Sequence, residues 1–105
     1  MEFIETSAFT RQVLNLLGED EYRDLQLALF DRPDLGVVIP ASGGLRKLRW
    51  RGSGRGKRGG VRMIYFWQVS SDRILLLLLY AKNEQDDLTP QQARALRRAV
   101  EEELR

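Results

Sequence analysis

Apolar positions along this chain recur first with helical spacing, then alternate as in strands, then return to helical spacing. Phe9, Val13, Leu16 and Leu17 fall at i, i+4, i+7 and i+8, one face of a helix starting near Ala8. Thr6 and Ser7 are candidate N-caps, Gly18 ends the helix, and Met1 to Ile4 reads as a short strand before it. A second helix is predicted from Glu19 to Phe30, with three acids in its first turn and Tyr22, Leu25, Leu29 and Phe30 as its buried side. Pro33 and Gly36 close it. The two stripes together predict a packed αα-hairpin.

Leu35 to Gly44 is a connector in which Val37 to Ile39 pairs briefly as a strand until Pro40 stops it. Leu45, Leu48 and Trp50 are then interleaved with Arg46, Lys47 and Arg49, an imperfect alternation that predicts a bulge or a shifted register. Val61 to Val69 alternates cleanly. Arg62, Ile64 and Phe66 fall on one face, and Val61, Met63, Tyr65 and Trp67 on the other. After a turn at Ser70 to Asp72, the continuous apolar run Arg73 to Tyr80 predicts a central strand covered on both faces. Thr89-Pro90-Gln91-Gln92 is a helix start, with Thr as cap, Pro first and Gln third, and the helix runs to about Leu104. The order β-α-α-β-β-β-α with short late connections predicts an α+β fold: an antiparallel sheet packed against helices.

Composition narrows the chemistry. At 105 residues the chain is one domain, and 43% hydrophobic with 30% charged residues fits a globular protein. Without cysteine there is neither a disulfide nor a thiolate site, and without histidine there is no imidazole base or ligand. No metal and no cofactor are therefore expected. The acidic N-terminus is unlike a signal peptide, and Ile74 to Leu79 is too short to span a bilayer, so a cytoplasmic protein with no membrane partner is expected.

Charge changes the picture most. From Arg46 to Arg62 there are eight basic residues and no acid, whereas the remainder carries nine basic against 15 acidic residues. Such segregation points to a polyanion. The loop holds G-x-G-x-x-G at Gly54, Gly56 and Gly59, but a strand follows where a dinucleotide fingerprint needs a helix. Arg58-Gly59-Gly60 resembles a single RGG element, a type that grips RNA backbone. Arg62, inside an apolar strand, needs a partner or a function. Lys82 follows the neighbouring strand, where both cations can approach one end of the sheet. Tyr80 reads either as a base-stacking ring or as a core aromatic. Glu84, Asp86 and Asp87 read as a solvated acidic loop rather than a metal site.

The stretches from Gly43 to Trp67 and from Leu75 to Gln92, with Arg-Met-Ile-Tyr on one strand and Tyr-Ala-Lys ending the next, resemble the RelE/ParE toxin superfamily. The likeness is greatest to its HigB-like branch and spans nearly the whole chain. It implies a RelE-like fold and the toxin of a type II toxin–antitoxin system. Such a toxin is a ribosome-dependent endoribonuclease that cuts mRNA by metal-independent attack of the 2′-OH. Its implied partners are the ribosome with its mRNA and a cognate helix-turn-helix antitoxin of HigA-like type. ParE-type relatives inhibit DNA gyrase, and a non-catalytic nucleic-acid-binding module would carry the same charges, so those two readings stay open. On the resemblance, Arg62 holds the scissile phosphate, Lys47 and Arg49 stabilise it or move protons, and Lys82 supports them. Arg46, Arg51, Arg55, Lys57, Arg58 and Tyr80 contact RNA. The chain departs from the family at two places: Thr89 stands about where a catalytic tyrosine is usual, and Asn83 where an arginine often follows the last strand.

Overall fold

The computed structural model describes residues 1–51, 60–85 and 87–104. Its elements are β1 (Glu2–Glu5), α1 (Ser7–Leu16), α2 (Glu19–Asp31), β2 (Val37–Val38), β3 (Arg46–Trp50), β4 (Val61–Gln68), β5 (Arg73–Ala81) and α3 (Pro90–Glu103). They form one five-stranded sheet in the order β1-β5-β4-β3-β2, and with the helices an α+β arrangement. The β2 to β5 pairings are antiparallel as expected, whereas β1 pairs in parallel with β5 and makes the sheet mixed.

Local chemistry explains the helix starts. Thr6 caps α1: its hydroxyl accepts from the Phe9 amide at 3.1 Å and donates to the Leu77 carbonyl at 2.8 Å, which ties the helix start to the sheet. Thr89 and Gln92 form a reciprocal capping box at α3, with bonds of 3.0 and 3.1 Å. Glu21 reaches back to the Gly18 amide at 2.9 Å to begin α2.

Each face of the sheet has its own core. On one side Phe9, Val13, Leu25 and Leu29 from α1 and α2 pack on Met63, Tyr65, Ile74 and Leu76. On the other, Val100 of α3 packs with Leu45, Ile64, Leu75, Leu77 and Tyr80. Phe30, expected on the buried side of α2, is 60% exposed because one helical step rotates it about 100° from Leu29. Val69 lies in a 3₁₀ turn beyond β4 rather than in the strand.

The irregular alternation around Leu45 to Trp50 has no bulge behind it. The β3–β4 register runs unbroken from Arg46 opposite Tyr65 to Trp50 opposite Val61. Arg46 tolerates the α1/α2 side because its guanidinium donates to the carbonyls of Gly36 at 2.8 Å and Asp34 at 3.3 Å. The irregularity lies instead in β5. Ile64 pairs with Leu78 but Tyr65 with Leu76, leaving Leu77 as the extra residue. A one-residue slip exchanges the faces of every following side chain. Tyr80 thereby joins Leu75 and Leu77 on the α3 side, directly opposite Arg62.

Candidate nucleic-acid interface

Register alone assembles a cationic surface. Arg49 on β3 lies opposite Arg62 on β4, which lies opposite Tyr80 on β5. One row along, Lys47 faces Ile64 and Ile64 faces Leu78. Period two therefore sends Lys47, Arg49 and Arg62 to one face, the side that carries α3. Where β3 and β4 meet, Gly60 has φ +75°, and a Cβ there would stand 2.2 Å from the Trp50 carbonyl oxygen. Glycine at that position lets the two cationic strands close together.

The three cations differ in depth. Arg62 is only 6% exposed, and its Nη1 donates to the Val61 carbonyl at 3.3 Å. The Lys47 side chain is half-buried and Arg49 is exposed. The Lys47 ammonium bonds the Asp87 carboxylate at 2.8 Å, a charge-assisted length. The hydrogen bond from Lys47, then its charge, and more weakly the charges of Arg49 and Arg62 hold the Asp87 carboxyl below the usual carboxylate range. The three cations thus occupy neighbouring positions on one sheet face, with the Asp87 carboxylate bonded to one of them. Beside it opens a cavity of about 630 Å³, with an apolar wall from Val37, Val38, Ile39 and Pro40 and a polar edge from Lys47, Arg49 and Asp87.

The other candidate residues are dispersed. Lys82 follows β5 at the same end of the sheet, its amide donating to the Gly60 carbonyl at 3.1 Å, and its side chain is exposed. Tyr80 is 7% exposed and packed in the α3-side core. Arg51 is exposed just past β3. Arg46 points to the opposite face, where it helps hold the Asp34–Gly36 segment. Arg55, Lys57 and Arg58, with the glycines around them, lie outside the described residues, as does Asp86. Among the described residues no group of acidic side chains is arranged to hold a metal ion. No helix among them is long and apolar enough to cross a membrane.

Asp87 is the residue that sequence reasoning missed. It belongs to the loop read as solvated and acidic, yet its carboxylate meets Lys47, 40 positions earlier. The available signal was charge: an acidic loop following a strand that pairs beside a cluster of cations.

Residues 34–104 match the family model described as the RelE toxin of the RelE/RelB toxin–antitoxin system. Among solved structures, the chain is similar to a mutant of the E. coli toxin RelE in the free state. That similarity has 10% sequence identity and a TM-score of 0.61, and covers 94% of this chain and 95% of the other. At that identity the likeness is one of fold.

Proposed function

We propose, from the premise that this chain belongs to the RelE toxin family, that it is a ribosome-dependent endoribonuclease that cuts mRNA and arrests growth. The observation that carries this reading is the strand register that sets Lys47, Arg49 and Arg62 on one sheet face, beside the Asp87 carboxylate that Lys47 binds. Cleavage of RNA by its own 2′-OH forms a bond from the 2′-oxygen to phosphorus and breaks the bond to the 5′-oxygen. Negative charge grows on the phosphorane between those two events. Cations fixed before the reaction stabilise that charge without reorganising.

The residues divide by rigidity. Arg62, buried near one end of the central strand, holds the scissile phosphate. Lys47 and Arg49 approach it from the next strand, Arg49 as a forked donor to phosphate oxygens and Lys47 as a compact donor to a departing oxygen. Lys82, at the end of β5, adds charge for the flanking backbone. Together these groups provide phosphorane stabilisation and leaving-group protonation that require neither metal nor histidine. In this reading a HigA-like helix-turn-helix antitoxin is the chain's inhibitor.

Inducible expression followed by mapping of mRNA 5′ ends tests the proposal. The expected outcome is growth arrest with cuts confined to translated mRNA, lost in Arg62→Ala and strongly reduced in Lys47→Ala. Arrest accompanied by gyrase-linked DNA damage and no mRNA cuts would refute it, as would the absence of both toxicity and cleavage.

A further inference from the structure

The Lys47–Asp87 pair is asymmetric in depth. The Lys47 side chain is 21% exposed, whereas that of Asp87 is 79% exposed. The carboxylate is therefore the more solvent-facing of the two charged groups. A group that supported Lys47 structurally would sit beneath it. Asp87 is an anion of phosphate-like chemistry, with acceptor oxygens and no donor when ionised. It lines one cavity with Lys47 and Arg49, and Arg49 stands opposite Arg62 in the sheet.

We propose that the Asp87 carboxylate is a built-in plug that occupies the phosphate seat formed by Lys47, Arg49 and Arg62, and that an RNA phosphate binds by displacing it. The proposal rests on the nuclease reading for its ligand, but the seat itself is defined by geometry. The Asp87 carbonyl is held in place. Gln85 donates to the Asp87 carbonyl at 2.9 Å and to the Gln92 side chain at 2.6 Å, and Gln92 closes the cap of α3. Displacement therefore asks only for rotation of one exposed side chain. The lowered carboxyl pKa fits this role, because the plug stays ionised and in place at neutral pH. It also disfavours Asp87 as a proton acceptor, since such a carboxylate is a weak base.

The test compares wild type with Asp87→Asn, a change at an exposed position, after thermal melting has shown that both fold. Each is titrated with inorganic phosphate while the backbone amide resonances of β3 and β4 are followed by NMR. Removing the resident charge is expected to tighten phosphate binding about two- to fivefold, the scale of an exposed ion pair. The gain should shrink in the Lys47→Ala background, where only Arg49 and Arg62 remain to hold the anion. With a single-stranded 2′-deoxy oligonucleotide, which has no 2′-OH and cannot be cut, freeing Lys47 should steepen the salt dependence of log K by about 0.7.

Equal or weaker phosphate binding by Asp87→Asn would overturn the plug, as would a gain that is undiminished without Lys47. Loss of ribosomal mRNA cleavage in Asp87→Asn, with phosphate affinity unchanged, would also overturn it and make Asp87 a working group of the reaction. If phosphate binding tightens as expected but neither protein cuts mRNA on ribosomes, the plug stands and the nuclease reading falls.

Discussion

The two faces of β3 and β4 use the same residue types for opposite ends. On the α1/α2 side, Arg46 and Tyr65 lie opposite each other, and both serve the fold. The Tyr65 hydroxyl donates to the Pro33 carbonyl at 2.7 Å and accepts from the Gly36 amide at 2.8 Å, while Arg46 holds the carbonyls of Asp34 and Gly36. On the α3 side, Arg49 and Tyr80 flank Arg62 across the sheet, beside an open cavity. One residue along a strand thus separates an arginine that pins a connector from a lysine that meets an anion. A cation's role here is set by the face it occupies and not by its membership of a basic run.

The contrast is broken most severely from the packed side. Phe9→Ala, at a fully buried ring, should cost about 3–5 kcal/mol, and a denaturant titration would show it as a fall in midpoint. On the open side, Arg62→Ala should lower the rate of mRNA cleavage by about 10²–10³-fold, measured by single-turnover cutting on programmed ribosomes. Tyr65→Phe keeps the ring but leaves the Gly36 amide and Pro33 carbonyl without their partner. A loss of about 1–3 kcal/mol is expected by denaturant titration, with oligonucleotide binding unchanged.

A finer cut compares adjacent residues. Arg46→Ala should lower stability by about 1 kcal/mol and leave oligonucleotide affinity unaltered, whereas Lys47→Ala should weaken that affinity and cost less stability, on the scale of an exposed ion pair. Equal effects of the two on binding would dissolve the distinction between faces. The smallest effect is a pH response. Because the folded-state pKa of Asp87 is lowered, its bond to Lys47 contributes fully above the ordinary value of 3.8 and is lost as pH falls through the lowered value. The melting difference between wild type and Asp87→Asn should therefore disappear in that acid window and persist at neutral pH.

Much of the fold was legible in advance. Thr6, Gly18, Pro33 and Thr89 act through contacts within a few residues, so the helix bounds followed from local chemistry. The face assignment of β4 followed from alternation, because Val61 to Trp67 carries no interruption. The β5 slip was hidden because RILLLLLY is apolar at every position from Ile74 to Leu79, so no periodicity records which leucine is extra. Arg46 was grouped with its basic neighbours because sequence shows charge but not direction.

By itself, the sequence determined the helices, the strands and the place where positive charge collects, since these depend on composition and near-neighbour spacing. It also carried the family likeness, in the basic strand and the two strands after it. Only the tertiary structure decided which cations share a face, that the Leu77 irregularity brings Tyr80 opposite Arg62, and that Asp87 closes on Lys47. Those outcomes depend on strand register and on contacts between residues far apart in the chain. A one-residue shift in register reverses them while the residue order stays the same.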